Sequence, residues 1–246
     1  MKVALFIPCF VDQLFPNTAM NMVKVLERVG CEVVYNPNQT CCGQPAFNAG
    51  FRDFAQPVCE KFLTDMLAVE ADYIVAPSGS CVGFVRNGYG KLFTNSILES
   101  KYHAVAAKIY EFTEFLVTVL QVENVGASLP TSATYHDACG ALRDCNVYDA
   151  PRRLLANVKG LTLTEALDSD VCCGFGGTFS IKMEPISSAM AQTKLDWLWA
   201  TDAQLVISTD SSCLMHLEGY ARKSDRKLSF MHIADVLACG WQLPTP

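Results

Sequence analysis

The chain has 246 residues, half of them apolar and only 18% charged, which suffices for a packed core and excludes a disordered chain. A net charge of −6 gives no basic footprint for nucleic acid or anionic lipid, and no apolar run reaches the roughly 18 residues of a membrane-spanning helix. Twelve cysteines, about 5% of the chain, fall below the roughly 8–10% of a disulfide scaffold, and without a leader-like pattern in residues 1–10 the expected compartment is the reducing cytoplasm, where such thiols point to metal or redox chemistry.

In chain order, Val3–Ile7 reads as a short buried strand, and Thr18–Gly30 as a helix with Met22, Val23, Leu26 and Val29 at helical spacing. Val33–Tyr35 is a second strand, followed by Cys41-Cys42-Gly43. A helix is expected from Arg52 to Val69, bent or restarted at Pro57, and a third strand over Tyr73–Ala76 leads to Cys81. Glu111–Leu120 reads as a closing helix and Val122–Pro130 as a linker. The order then repeats: a strand before Cys139, a helix over Asp149–Gly160, a strand near Leu161–Leu163, a helix over Pro185–Ala200, a strand over Leu205–Ser208 and a last helix over His232–Leu237. Alternating strands and helices predict an α/β protein of two pseudo-symmetric, tandem, parallel-sheet (Rossmann-like) domains, residues 1–126 and 127–246.

The repeat is visible in the residues themselves. Cys9, Cys41-Cys42-Gly43 and Cys81 recur as Cys139, Cys172-Cys173-Gly174 and Cys213, at offsets of 130, 131 and 132. The other four cysteines have no counterpart: Cys31 aligns with Leu161, Cys59 with Met190, Cys145 with Phe15 and Cys239 with Thr118, so they are expected to be small core hydrophobes. Each paired cysteine lies just past a predicted strand's carboxyl end, the edge at which open parallel sheets bind ligands, so four thiols per half are expected to converge.

Four converging thiols serve a zinc ion, an iron–sulfur cluster or thiol–disulfide chemistry. Zinc sites usually present short C-x2–4-C knuckles, whereas the gaps here are 32, 1 and 39 residues in the first half and 33, 1 and 40 in the second. Adjacent cysteines suit a cluster with several irons better than a single ion, which favours iron–sulfur and keeps zinc and disulfide chemistry as alternatives.

At these residues the sequence resembles the CCG cysteine-rich domain family, which includes a component of heterodisulfide reductase and the iron–sulfur subunit of glycolate oxidase. The segments TCCGQPAFNAG from Thr40, APSGSC ending at Cys81, CCGFGGTFSIKM from Cys172 and MHIADVL from Met231 are most similar to its lactate-utilization branch. The resemblance implies a subunit of a system oxidising L-lactate to pyruvate, with Cys9, Cys41, Cys42 and Cys81 holding one cluster, Cys139, Cys172, Cys173 and Cys213 a second, and [4Fe–4S] the expected type. It also implies the lactate utilization proteins B and C as partners, because this chain lacks a ferredoxin-type cysteine run of its own. One departure stands out. The family's third element is a C-x-x-C, and its first cysteine is replaced here by Ser78 and by Asp210, each expected to cap the following turn, with an oxygen ligand from Asp210 as the alternative.

Gly43, Gly174, Gly176 and Gly177 are expected at the cofactor, where small residues let backbone N–H groups approach cluster sulfur; the glycine-rich loop has neither the G-x-G-x-x-G spacing nor the lysine of a nucleotide site. His136-Asp137, just before Cys139, is expected to be polar residues at a strand end, with a proton relay or a hydrogen-bond partner of the cluster as the alternatives. No catalytic residue is assigned, and no serine–histidine–acid arrangement supports hydrolysis.

Overall fold

The computed structural model describes residues 1–93, 96–223 and 227–241. Its strands are β1 (Lys2–Leu5), β2 (Glu32–Tyr35), β3 (Tyr73–Ala76), β4 (Ile109–Glu111), β5 (Ser128–Tyr135), β6 (Lys159–Leu163), β7 (Leu205–Ser208) and β8 (Ser229–His232). They form two all-parallel sheets, ordered β2-β1-β3-β4 and β6-β5-β7-β8. The strand order therefore reverses direction between β1 and β3, and again between β5 and β7, the crevice where such sheets take ligands.

The helices are α1 (Cys9–Leu14), α2 (Pro16–Arg28), α3 (Gln44–Asn48), α4 (Arg52–Leu67), α5 (Gly79–Asn87), α6 (Ser96–Ala106), α7 (Phe112–Glu114), α8 (Asp149–Ala156), α9 (Phe179–Lys182), α10 (Glu184–Trp199), α11 (Ser211–Ala221) and α12 (Ile233–Leu237). Alternation along the strands divides the core between two faces. Val3, Leu5 and Ile7 pack with α2, α8 and α12, while Ala4 and Phe6 pack with α4, α5, α10 and α11. Both clusters draw on both halves, and each fully buried aliphatic side chain in them contributes roughly 1.5–3 kcal/mol.

Three expected elements are corrected. The helix from Arg52 runs through Pro57 without restarting; the proline forgoes one backbone hydrogen bond, but Ala55, Cys59, Phe62, Leu63 and Met66 anchor the helix on both sides of it. The helix from Asp149 stops at Ala156, and Gly160 lies in β6 with φ +82°. The end of the expected linker, Ser128–Pro130, belongs to β5, where a register shift between Ser128 and Thr131 accommodates the proline. The expected closing helices are present, as α7 with the turn that follows it and as α12, with Glu111 and His232 standing just before them. Each ends the fourth strand of its sheet and caps a short helix with its side chain, and α7 passes into a π-helical turn over Phe115–Val119.

Candidate metal centre

Each cysteine quartet is assembled at the switch point of its sheet. Cys9 follows β1 as the first residue of α1, and Cys81 follows β3 in the first turn of α5. Cys139 follows β5 immediately before a π-helical turn over Gly140–Asp144, and Cys213 follows β7 in the first turn of α11. The paired cysteines complete each set from the loop after β2 or β6.

Within each quartet the thiols form a chain. Cys9 Sγ lies 3.8 Å from Cys41 Sγ, and Cys42 Sγ lies 3.6 Å from Cys81 Sγ. The second half repeats these contacts, from Cys139 to Cys172 and from Cys173 to Cys213. Hydrogen bonds from the Cys42 and Cys9 thiols pull Cys41 down to a pKa of about 3, and bonds from Cys139 and Cys173 pull Cys172 down to about 2. Each array thus concentrates one thiolate on the first cysteine of its pair. The Gly43 N–H donates to Cys41 Sγ at 3.4 Å, and the Gly174 N–H to Cys172 Sγ at the same distance.

The glycine of each motif is required twice over. Gly43 has φ +88° and Gly174 has φ +91°, the left-handed region that favours glycine. A Cβ on Gly43 would meet Cys59 Sγ at 2.7 Å; one on Gly174 would meet the Ser187 carbonyl at 2.7 Å and Met190 Cβ at 2.9 Å. The unpaired Cys59 and its counterpart Met190 therefore do the same job, covering the motif glycine from the neighbouring helix. Cys59 donates to the Cys42 carbonyl, which also accepts from Tyr89 Oη at 2.7 Å. Burial pushes the Cys59 thiol up to about 12. Cys31 and Cys145 are likewise buried in the cores, and Cys239 is half-buried with its thiol on the Asp235 carbonyl.

Both quartets line a single cavity of about 750 Å³. Gly176 and Gly177 line it too, whereas Gly43 and Gly174 lie behind the thiols. Ser78 and Asp210, which also line it, meet in an antiparallel bridge between the two halves. Asp210 Oδ2 accepts from Ser78 Oγ at 3.1 Å and Ser80 Oγ at 2.7 Å, while Oδ1 accepts from the Ser212 N–H as the cap of α11. Both residues stand at helix starts, as the sequence suggests, but only Asp210 caps with its side chain; Ser78 spends its hydroxyl across the interface.

The scaffolds behind the two quartets differ. In the first half, neutral Gln39 accepts from the Ile7 N–H and donates to the Leu5 carbonyl. In the second, buried Asp137 takes a bidentate pair of bonds from Arg152 at 2.9 and 2.8 Å and a third from Ser169 Oγ. Buried Lys194 holds the approach to Cys172 by donating to the carbonyls of Asp168 and Ser169. His136 is fully buried, neither ring nitrogen has a hydrogen-bond partner, and burial followed by the charge of Lys194 lowers its pKa to about 3. Asp137 is engaged with Arg152 and not with His136, so the two do not form a histidine–carboxylate relay.

The profile of the CCG cysteine-rich domain matches residues 3–86 and 133–218, one copy per sheet. A lactate utilization protein A from an Exiguobacterium species is 42% identical over 240 residues, covering 97% of this chain and 98% of that protein. The chain belongs to the lactate utilization protein A family. Another member, from Bacillus thuringiensis, is 44% identical over 238 residues, covering 96% of this chain and 98% of its own. Among solved structures, a hypothetical protein from Helicobacter pylori shares the fold with a TM-score of 0.62 at 11% identity; the match covers 98% of this chain and 49% of that one.

The donor set fits a metal or cluster. Soft thiolates are the ligands of iron–sulfur clusters and of zinc, and backbone N–H groups directed at sulfur offset the negative charge that such a group carries. Among the described residues no helix is long and apolar enough to cross a membrane.

Proposed function

We propose that this chain is an iron–sulfur electron-transfer subunit of a multi-protein system that oxidises L-lactate to pyruvate. Cys9, Cys41, Cys42 and Cys81 would hold one [4Fe–4S] cluster and Cys139, Cys172, Cys173 and Cys213 a second. The observation that carries this reading is the pair of four-thiol chains opening into one cavity. The substrate and the partners, lactate utilization proteins B and C, follow from the names of the relatives. A cytoplasmic location suits it, since the thiols must stay reduced.

Lactate oxidation releases two electrons and two protons. A bound cluster would supply one-electron acceptance and release. The chain's own residues would hold the group, direct the Gly43 and Gly174 N–H groups at its sulfur ligands, and keep water from Cys42 and Cys173, each only 2% exposed. Gly176 and Gly177 leave a stretch without side chains at the cavity, between Phe175 and Thr178, which line it too. Substrate handling would be shared with the partner proteins or carried by them.

Purification without oxygen followed by iron, zinc and acid-labile sulfide analysis tests the reading. Iron and sulfide in equal amounts are expected. Stoichiometric zinc without sulfide would replace it with a zinc-stabilised scaffold, and metal-free protein with a reversible two-electron thiol couple with a thiol–disulfide enzyme. Cys42→Ala and Cys173→Ala should each remove one centre's spectroscopic signal, whereas Cys59→Ala should leave both.

A further inference from the structure

We propose that His136 donates a ring nitrogen to the metal group of the second half, giving that site an imidazole ligand that the first half lacks. The inference rests on the reading that the quartets hold iron. A ring nitrogen of His136, Cys173 Sγ and Cys213 Sγ all lie within 4.8 Å of one another, and all three residues are buried. Metal–sulfur and metal–imidazole bonds run at about 2.3 and 2.0–2.1 Å. Donors at that spacing need only small side-chain rotations to share one ion, or to bind neighbouring irons of one cluster.

The imidazole has no other occupation. A polar group left unsatisfied in a protein interior costs roughly 1–3 kcal/mol, so a fully buried ring with two unpartnered nitrogens calls for a ligand. The polar groups nearest in sequence and space are committed elsewhere: Asp137 to Arg152 and Ser169, and Lys194 to two backbone carbonyls. Other histidines in this half are satisfied within the protein. His232 uses Nδ1 to cap α12 and pairs Nε2 with the Pro77 carbonyl, and His216 pairs with Ser187 Oγ.

The sister position makes the contrast sharper. The repeat aligns His136 with Phe6, and strand alternation directs Phe6 into the core, where it packs edge-on against Phe62 with ring centroids 4.7 Å apart. An apolar ring is therefore the fold's own solution at this point. The second half instead places an unpartnered imidazole beside two cysteines, and the two centres become chemically distinct. Ligand identity sets cluster potential, so an imidazole beside the four thiolates would set the second centre's potential apart from the first's.

The test is electron–nuclear hyperfine spectroscopy on the reduced full-length protein, purified without oxygen and labelled with ¹⁵N-histidine. One of the two centres should show a coupling of the size given by a directly bonded nitrogen, and His136→Phe, which copies the first half, should abolish it while leaving the other centre's signal intact. Iron-loaded wild-type protein with no such coupling, or with only the weaker coupling of a hydrogen-bonded ring, would overturn the proposal and leave the cluster reading standing. Persistence of the coupling in His136→Phe would assign it to another histidine and overturn the proposal as well. Wild-type protein without iron would overturn both. The wild-type spectrum decides even if the variant folds poorly.

Discussion

Replacing Gly43 by alanine isolates the physical demand of the Cys-Cys-Gly turn, because the structure divides its cost into two separable parts. The first is conformational: alanine at φ +88° costs roughly 1–2 kcal/mol in the left-handed region. The second is steric. The new Cβ would sit 2.7 Å from Cys59 Sγ, and overpacking of this kind costs roughly 1–3 kcal/mol. Gly43→Ala should therefore destabilise the protein by about 2–5 kcal/mol. Cys59→Ala removes the atom that is struck, so the double variant should recover the steric part and keep the conformational one. Denaturant unfolding of anaerobically prepared protein, with metal content followed in parallel, measures all three variants in one double-mutant cycle. A favourable coupling of about 1–3 kcal/mol between the two substitutions is expected. If Gly43→Ala costs the same with and without Cys59, the contact does not define the turn and the reasoning fails. Gly174→Ala provides the contrast: its Cβ would strike a backbone carbonyl, which no side-chain truncation can relieve.

Two further outcomes follow from buried charge. Arg152→Met would leave the Asp137 carboxylate, only 1% exposed, without its bidentate partner, and should cost roughly 3–5 kcal/mol in unfolding experiments; Asp137→Asn in the same chain should restore much of that, and failure to do so would show that the arginine acts by packing alone. Burial raises the Glu111 carboxyl to about 7, above its ordinary value near 4.5, so its protonated form is favoured in the fold. Its contribution to stability is fully present below pH 4.5 and is lost as pH rises toward 7. Glu111→Gln should flatten the pH dependence of stability across that window, and an unchanged slope would refute the assignment.

Much of the site is legible in the sequence because duplication makes a chain its own control. The offsets of 130 to 132 residues separate eight cysteines from four, and those eight thiols are the ones the two sheets bring to a shared cavity. β4 and β8 are not legible: β4 has only three residues, and β8 (Ser-Phe-Met-His) lacks the β-branched apolar run that marks strands of the same length such as β3 and β7. His136 reads in the sequence as a polar residue at a strand end, with a relay or a hydrogen-bond partner of the cluster as alternatives, and not as a ligand. Its neighbours Cys173 and Cys213 lie 37 and 77 residues away, and only the fold brings them together. The usable signal is its alignment with Phe6, an ionisable side chain where the sister half needs a core ring. The Ser78–Asp210 bridge lies beyond the reach of sequence, because nothing in a tandem repeat states how its halves face one another.

How they face one another is fixed by close approach of backbone. A Cβ on Gly79 would lie 2.3 Å from Ala141 Cβ, and one on Gly140 would lie 2.6 Å from Ser80 Cα. These glycines stand near Cys81 and beside Cys139, so the contact that joins the halves also sets the spacing of the two quartets. Gly79 is the first residue of α5 and needs no left-handed backbone, so alanine there perturbs the interface alone. Gly79→Ala should cost roughly 1–3 kcal/mol and push the two cysteine loops apart. If both quartets carry paramagnetic centres, their mutual spin–spin broadening should weaken in this variant while iron content holds. Unchanged broadening together with unchanged stability would mean that the interface yields elsewhere, and that the glycine pair does not govern the distance between the sites.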